Sequence, residues 1–413
     1  PTSIWLTGNQ YRMNEIAGEF FRQKKNITIF LLQPFNKFTL LRTIIHFLGN
    51  IFRYTLNIKV KKIYLTPTIE KYKTSRSNIK NLLNFKNDSC LSTISSIIED
   101  NFVLVNDYLI SIEKSVDNFI LSTDPKFLIA HQLKVGDAIL LGSIFKKRNI
   151  PTTLISHGSH PSNNNELANF ELLDNLDGLL LSEFATNSVI QSKVAYNTIK
   201  KENLRGLKNK LIISQPLMWG AKNNCIYKKK KNYFTILHAG TPKPLGTRPL
   251  IYETSFEYFR GIVFLAKTVS SIKNVELIVR FRSAKEFSTN SFLKLMPKYK
   301  NVKINFDGNF YEDLQRSDML ISFASTTTEE SLYSHKPVGL LALDNRYWHL
   351  KGSKVKPTNK KRSPVYYLNK DNLKSMLISI KKFHIDQPLS HSELRNYIWK
   401  KDVPGLKEFV VHK

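Results

Sequence analysis

Short apolar runs alternate with amphipathic, helix-like stretches along most of this chain, and no other feature constrains its fold as much. The runs have the length of buried strands; they lie at residues 3–8, 27–33, 119–125, 151–156, 179–183, 210–215, 233–239, 275–281, 302–306 and 319–323. Helical periodicity fills many of the intervals, at residues 11–23, 133–148, 185–200, 256–272, 292–300 and 311–317. Strand–helix–strand units pair their strands in parallel, because the helix carries the chain back across the sheet. The sequence therefore predicts an α/β protein with parallel sheets.

Two sets of alternating elements are separated by a lysine-rich interval. Residues 228–231 are four consecutive lysines, and a charge run between two patterned regions is typical of a solvated linker. We therefore predict two Rossmann-like doubly wound domains, residues 1–220 and 221–413, facing a central cleft. Doubly wound sheets bind ligands beyond the carboxyl ends of their strands, so the predicted ligand site lies in the cleft.

The composition narrows the class of partner. Apolar residues make up 42% of the 413 residues, and the formal net charge is +29. Such a charge favours nucleotides, anionic glycans or an acidic membrane surface. The sequence has no helix-turn-helix, zinc-finger or RNP-type signature, so no nucleic acid is expected as a partner. The two cysteines, Cys90 and Cys225, are far apart, which favours a reducing, cytoplasmic compartment and predicts neither disulfides nor a zinc site.

One stretch could contact a membrane, although the sequence has no apolar run of the roughly 18 residues that a spanning helix needs. Residues 38–56 carry apolar side chains at helical spacing, with Arg42, His46 and Arg53 among them. A basic amphipathic helix of this kind can lie in a membrane interface, but a helix packed in a protein core has the same periodicity. The predicted location is therefore cytoplasmic, with a peripheral position against the anionic inner face of the cytoplasmic membrane as an open alternative.

The segment 321–341 is the most distinctive local pattern: a strand, a hydroxyl-rich turn, a short helix and a second strand. The turn consists of Ser325, Thr326, Thr327 and Thr328. Glu329 and Glu330 follow it and open a helix that ends before Lys336. Hydroxyl side chains cap the free N–H groups at a helix start, and those groups also attract anions. An ordinary capping box and a phosphate-binding turn both fit this pattern.

Other polar residues also follow predicted strands, where doubly wound folds place their chemistry. They are Asp124, His157, His160, His238, Gly240, Thr241, Lys243, Arg280 and Arg282. Arg280 and Arg282 share a strand face, and a guanidinium can bind phosphate through two hydrogen bonds without a metal. No Gly-rich dinucleotide motif, P-loop, His-Glu-x-x-His or Asp-x-Asp pair is present, so we expect a metal-independent reaction.

His157 is the leading candidate for a general base. It follows an apolar strand and precedes Gly158, where a backbone can approach a ligand closely. Its reference pKa of about 6.5 suits a group that accepts a proton from a hydroxyl. His160 is the second candidate and Asp124 the third. A histidine that only caps the end of the strand is the competing interpretation.

The second half resembles the nucleotide-binding half of GT-B glycosyltransferases. Ser325-Thr326, Glu330-Ser331-Leu332 and Lys336-Pro337-Val338 are similar to the S-T…E-A-L…G-K-P-V pattern of that superfamily, with Ser331 and His335 replacing the usual Ala and Gly. As architecture, the resemblance spans roughly residues 119–341. It implies a GT-B fold in which residues 1–220 bind the acceptor and residues 221–413, ending in a helical tail, bind the nucleotide donor.

The resemblance also implies roles for individual positions. The acidic residue that commonly bonds the donor ribose falls on Glu330 rather than Glu329, and the turn from Ser325 to Thr328 would face the donor phosphate. Arg280 and Arg282 would neutralise that phosphate. The loop that begins at His238 and contains Gly240, Thr241 and Lys243 would lie against the donor. Relatives that act on surface polysaccharides often have a His-Pro pair after the Arg280 strand, and this chain lacks it.

The function implied is transfer of a sugar from a nucleotide-sugar donor to a glycan or lipid-linked acceptor in cell-surface polysaccharide assembly, such as capsule or lipopolysaccharide. The nucleotide-sugar, CMP- or UDP-linked, is a substrate, and neither a cofactor nor a metal is expected. Two alternatives stay open. One is a sugar-nucleotide 2-epimerase-like enzyme with the same architecture, and the other is an inactive GT-B-fold protein that binds polyanions.

Overall fold

The computed structural model describes fourteen separate stretches of the chain. Residues 2–7, 27–34 and 59–65 are described by their backbone. Side chains, apart from that of residue 137, are described in residues 110, 112–134, 137–156, 158–162, 165–202, 209–217, 233–240, 250–281, 288–306, 309–347 and 349–399. The lysine run at 228–231 and the amphipathic stretch at 38–56 lie outside the described residues, so the interpretations of both stay predictions.

The first sheet has seven strands in the order β3-β2-β1-β4-β5-β6-β7. These strands are β1 (Thr2–Thr7), β2 (Ile27–Pro34), β3 (Lys59–Leu65), β4 (Phe127–Ala130), β5 (Thr152–Ile155), β6 (Asn187–Ile190) and β7 (Lys210–Ile213). β1 pairs in parallel with both β2 and β4, so that Ile4 lies opposite Ile29 on one side and Phe127 on the other. The parallel start predicted from the first two apolar runs is confirmed.

Four helices are described in the first half of the chain: α1 (112–123), α2 (Asp137–Lys147), α3 (Glu166–Leu176) and α4 (Lys193–Glu202). The strand predicted at residues 119–125 is wrong, because α1 occupies most of that stretch. Ile112, Val116 and Ile120 recur every four residues and are all buried, which is the spacing of one helix face. The hydroxyl of Thr123 donates to the Phe119 carbonyl, 2.6 Å away. The strand that follows is β4, after Pro125.

A second prediction also differs from the structure. The apolar run 179–183 is a turn, tied by an isolated bridge between Asp177 and Leu181 and by Gly178 with a φ of 75°. Leu180 and Leu181 are buried in this turn, so burial rather than strand pairing explains their apolar character. The helix predicted at 185–200 is instead β6 followed by α4.

The second sheet has six strands in the order β10-β9-β8-β11-β12-β13. They are β8 (Phe234–Gly240), β9 (Val275–Phe281), β10 (Val302–Asn305), β11 (Met319–Ser322), β12 (Val338–Leu341) and β13 (Val365–Leu368). All of their neighbouring pairs are parallel. The helices are α5 (Ser255–Ser270), α6 (Thr289–Leu295), α7 (Phe310–Arg316), α8 (Thr327–Tyr333), α9 (Leu373–His384) and α10 (His391–Leu394). The alternation predicted for this half is confirmed.

The core of the second sheet is packed closely. Phe281 stacks on Phe292 with ring centroids 4.2 Å apart. A side chain at Gly339 of β12 would come within 2.4 Å of Leu368 and 2.7 Å of Met319, so a larger residue would have to displace both of these side chains. The order β8-β11-β12 brings the carboxyl ends of these strands to one edge of the sheet, and the hydroxyl-rich turn follows β11 at that edge.

The chain forms two compact units whose segments interleave along the sequence. One comprises residues 1–156, 177–189 and 207–212, and the other comprises residues 157–176, 190–206 and 213–413. The second unit therefore contains α3 and α4 as well as the six-stranded sheet. The sequence-based boundary at residue 220 stays a prediction. In the described part of the chain, no helix combines the length and the apolar character needed to cross a membrane.

Candidate functional site

The hydroxyl-rich turn between β11 and α8 is braced by its own side chains. The Ser325 hydroxyl accepts a hydrogen bond from the Thr327 N–H at 3.3 Å, and the Thr328 hydroxyl donates to the Ser325 carbonyl at 2.6 Å. Thr326 is the N-cap of α8, but its side chain makes no capping hydrogen bond. The Thr327 hydroxyl oxygen is buried and has no hydrogen-bond partner among the described residues. The turn is thus held in shape without a capping box.

Glu329, at the start of α8, connects this turn to the loop after β5. Its side chain is only 2% exposed, and its Oε1 accepts a hydrogen bond from the Ser159 N–H at 3.2 Å. Its Oε2 lies 3.4 Å from His349 Nε2 and 3.0 Å from the Thr328 hydroxyl. That hydroxyl has a single proton to donate, for which the Ser325 carbonyl and Glu329 Oε2 compete. Three separate segments of one compact unit therefore meet at this carboxylate.

The electrostatics of this cluster keep Glu329 ionised and His160 neutral. Burial alone would raise the pKa of Glu329, but His349 and the hydrogen bonds from His349 and Ser159 hold it below its usual value. Burial, together with His349, lowers the pKa of His160 to about 4, and Glu329 offsets only part of this effect. At neutral pH His160 is therefore an uncharged imidazole, and it is a weaker base than the reference pKa of about 6.5 implies.

The loop 158–160 fits closely between α4 and α8. A side chain at Gly158 would lie 3.1 Å from Thr326 Cγ2, so glycine lets the backbone approach the hydroxyl-rich turn without displacing Thr326. On the other side, the Ser159 hydroxyl lies 2.8 Å from the Ser192 hydroxyl. Ser192 in turn accepts a hydrogen bond from the Ala195 N–H, at 3.1 Å, at the start of α4. His160 has a φ of 42° and closes the loop.

Glu330 is also buried, with 6% of its surface exposed. Its backbone carbonyl accepts the Ser334 N–H within α8. Its assignment as the ribose-binding residue stays a prediction.

Three further predicted donor residues lie on strands of the second sheet. Arg280, on β9, is 19% exposed and forms an ion pair with Asp313 of α7 at 2.7 Å. Asp313 also accepts from the Asn305 amide at 3.2 Å. His238 lies inside β8, where burial lowers its pKa to about 4, and its ring meets Tyr258 edge-on at 5.7 Å. Gly240 ends the strand, and its carbonyl accepts the Tyr258 hydroxyl at 3.4 Å.

Lys336 of the glycosyltransferase-like motif has a structural role. Its side chain is buried, and its ammonium group donates to the carbonyls of Leu314, Gln315 and Ser317. These carbonyls lie at the end of α7, where a cation satisfies unpaired acceptors and complements the helix dipole. The lysine therefore ties the C-terminal end of α7 to the segment that leads into β12.

The position predicted for Asp124 is wrong. It was expected beyond the carboxyl end of a strand, but it follows α1 and precedes β4, at the amino edge of the first sheet. Its φ is 42°, and its exposed carboxylate pairs with Lys126 at 2.5 Å. The apolar run before it is helical, which displaces the strand to the other side of Asp124. His157, Thr241, Lys243 and Arg282 lie outside the described residues, so their assignments stay predictions.

A small pocket of about 20 Å³ at the carboxyl edge of β11 and β12 contains residues that the sequence analysis missed. Glu253 lines it, and burial, reinforced by Glu257 and partly offset by Arg346, raises the pKa of Glu253 to about 8. Arg346 binds both carboxylate oxygens of Glu257 at 2.9 Å and lies 4.9 Å from the centre of the Phe323 ring. Thr254 and Glu257 form a capping box for α5, a signal visible in the sequence. Arg346 and His349 carry no comparable motif.

Solved structures with similar architecture identify the fold. A Listeria monocytogenes protein described as a UDP-N-acetylglucosamine 2-epimerase aligns over 96% of this chain and 93% of its own, with a TM-score of 0.54 and 13% identity. S. aureus MnaA, in a co-structure with UDP, aligns over 94% and 90%, with a TM-score of 0.51 and 10% identity. The chain has the GT-B fold.

The GT-B architecture of two parallel α/β sheets predicted from the sequence is thereby confirmed. A UDP-glucosyltransferase from Polygonum tinctorium aligns over 92% of this chain and 89% of its own, with a TM-score of 0.44 and 13% identity. No family model matches the chain, and no curated protein is significantly similar to it. Identities this low define the fold and leave the activity to the residues.

Proposed function

We propose that this GT-B protein is a nucleotide-sugar-using enzyme, and that it transfers the sugar to a glycan or lipid-linked acceptor in cell-surface polysaccharide assembly. The observation that carries the proposal is the hydroxyl-rich turn after β11, at the carboxyl edge of a doubly wound sheet, where such folds bind nucleotides. S. aureus MnaA, which has a similar fold, is described in a co-structure with UDP, and UDP-sugars are therefore the first donors to test.

In this proposal the turn from Ser325 to Thr328 faces the donor phosphate and Glu330 bonds the ribose. Arg280 and Arg282 neutralise that phosphate, and Asp313 holds the Arg280 guanidinium in an ion pair. His157 accepts the proton of the acceptor hydroxyl. The acceptor oxygen then bonds to the anomeric carbon, the bond from that carbon to the phosphate oxygen breaks, and the nucleotide leaves with the bonding electrons.

The experiment that tests the proposal is a thermal-shift series with UDP-, GDP-, dTDP- and CMP-sugars. A bound donor raises the melting temperature by mass action. We expect stabilisation by at least one of them, and by UDP alone if the diphosphate nucleoside carries most of the affinity. Glu330→Ala should reduce the shift, whereas His157→Ala should preserve it and slow nucleotide release in the presence of acceptor. A response to heparin alone would instead support the polyanion-binding alternative.

The second candidate function is 2-epimerisation of the donor itself, favoured by the fold match to the Listeria protein over nearly the whole of both chains. Inversion at C2 requires the C2–H bond to break and re-form, so in D₂O the sugar would acquire deuterium at C2 without any acceptor. A transferase would leave C2 unlabelled and would release nucleotide only when an acceptor is added. NMR of UDP-N-acetylglucosamine incubated in D₂O separates the two activities.

A further inference from the structure

We propose that Glu329, which precedes the predicted ribose-binding residue Glu330, is a positioning residue. It fixes the loop 158–160 against the start of α8. The inference rests on the contacts within one compact unit. The Glu329 carboxylate accepts the backbone N–H of Ser159 across a separation of 170 residues. The carboxylate is thereby tied to the main chain of the loop, so the hydrogen bond constrains the position of the loop backbone itself.

The carboxylate is suited to this role because it is buried and ionised. At 2% exposure it has little access to water, so its charge must be stabilised by protein donors. Ser159 supplies a backbone donor of fixed geometry, and His349 Nε2 lies 3.4 Å from the other oxygen. A charged acceptor forms a stronger hydrogen bond than a neutral one. The Ser159 amide is therefore held more firmly than an ordinary loop amide.

The other side of the loop supports the same arrangement. The Ser159 hydroxyl is 2.8 Å from that of Ser192, and Gly158 lies so close to Thr326 that an added side-chain carbon would be 3.1 Å from its methyl group. The loop is thus held between α4 and the hydroxyl-rich turn. Glu329 is the charged element of this arrangement, and its removal leaves the Ser159 N–H without its acceptor.

The functional consequence deepens the proposed function and rests on it. The loop carries His160 and directly follows His157, the proposed base, while the turn it contacts is the proposed phosphate site. Glu329 thereby holds the segment that follows the proposed base against the proposed phosphate site. Rate is sensitive to such placement, whereas affinity for the nucleotide is not. Glu329 should therefore affect turnover, and Glu330 should affect nucleotide binding.

Hydrogen exchange on the full chain tests the positioning without any substrate. Glu329→Ala should accelerate exchange of the Ser159 amide about ten- to hundred-fold, the loss expected for one hydrogen bond to a charged group. Glu330→Ala is the matched control, because it removes a buried carboxylate of the same type from the same helix without touching Ser159. Glu329→Gln keeps an acceptor oxygen and should give an intermediate rate.

Exchange must be compared with that of β11, since a global loss of stability would accelerate both regions together. If Glu329→Ala fails to fold, the comparison of wild type with Glu329→Gln still decides. Equal Ser159 exchange in wild type and Glu329→Gln, or equal acceleration by Glu329→Ala and Glu330→Ala, overturns the positioning role.

The functional half is tested by calorimetry with UDP and by nucleotide release. Glu329→Ala should lower turnover at least tenfold with the dissociation constant for UDP unchanged, and Glu329→Gln should recover part of the rate. Weaker UDP binding with unchanged turnover contradicts the assignment. If no nucleotide-sugar is turned over at all, the proposed function fails, while the exchange data still show whether Glu329 fixes the loop.

Discussion

Glu253 and Glu329 are both carboxylates withdrawn from solvent in the same compact unit, yet their ionisation differs. Burial raises the pKa of Glu253 to about 8, with the neighbouring Glu257 adding to the effect. Glu329 is at least as deeply buried, but His349 and the Ser159 hydrogen bond hold its pKa below the usual value. At neutral pH Glu253 is mostly protonated and Glu329 is charged.

The difference shows that hydrogen-bond donors, rather than depth, decide the state of a buried carboxylate here. Arg346 lies near Glu253, but its guanidinium donates to the two oxygens of Glu257. Its positive charge therefore lowers the pKa of Glu253 only in part. Glu329 has its own donors from two other segments. A buried carboxylate that is charged at neutral pH can anchor a loop, whereas a neutral one such as Glu253 gains its charge only when the pH rises to about 8.

The largest effect is expected when the anchored carboxylate is removed. Glu329→Ala leaves the Ser159 N–H and His349 without their acceptor and opens a small cavity in a closely packed region. We expect a loss of about 3 kcal/mol in the free energy of unfolding, measured by urea denaturation at pH 7. The control Glu330→Ala should cost clearly less. Equal losses for the two variants would remove the distinction drawn for Glu329.

The next effect concerns the neutral carboxylate. Between pH 4.5 and about 8, Glu253 is protonated in the folded protein and ionised in the unfolded chain. Folding therefore takes up a proton in this window, and the stability contribution of Glu253 falls as the pH rises. Glu253→Gln cannot ionise, so it should be about 2 kcal/mol more stable than wild type at pH 8.5, a figure discounted for partial exposure.

The same substitution should be nearly neutral at pH 4, below the pKa of an unfolded glutamate, because both side chains are then uncharged. Urea denaturation of wild type and Glu253→Gln across this range measures the difference directly. A constant difference at all pH values would mean that Glu253 is ionised in the folded protein, and the contrast with Glu329 would disappear.

The two parallel sheets and the hydroxyl-rich turn could be predicted from the sequence, apart from the strands placed at 119–125 and 179–183. The different ionisation of the two carboxylates could not. Strand–helix alternation and the run from Ser325 to Thr328 are local patterns, and local patterns determine local structure. Whether Glu329 or Glu330 meets the loop depends on the rotation of α8 and on a partner 170 residues away. His349 lies in no motif. The apolar run 119–125 misled for a related reason: its partners across α1, Ile112 and Val116, lie before it.

A smaller effect should follow when the donor rather than the acceptor is changed. His349→Asn removes the group that most lowers the pKa of Glu329. In the variant the pKa of Glu329 should therefore rise, as burial raises that of Glu253. A carboxyl group with a depressed pKa contributes stability above its unfolded pKa and loses it as the pH falls through the folded pKa. In the variant this loss should therefore begin at a higher pH.

We expect His349→Asn to lower stability by about 1.5 kcal/mol at pH 7, and NMR titration of ¹³Cδ-labelled glutamate should show the upward shift. Removing His349 also relieves the field that lowers the pKa of His160, so the histidine signals serve as an internal check. An unchanged titration of Glu329 would assign its ionisation to the Ser159 hydrogen bond alone.

The smallest effect is expected at Arg346, on the Glu253 side of the comparison. Arg346→Lys keeps the charge but loses the planar fork that binds both oxygens of Glu257 and the carbonyls of Leu250 and Tyr252. Because the Arg346 and Glu257 side chains are 30% and 28% exposed, the loss should be only about 1 kcal/mol at pH 7. Arg260→Lys, in a pair with Asp344 that is 41% and 63% exposed, should lie within about 0.5 kcal/mol of wild type. If Arg346→Lys left the stability unchanged, charge alone would be enough to hold Glu257. The geometry of the Arg346 guanidinium would then not explain why Glu253 stays neutral, and the contrast would rest on the donors of Glu329.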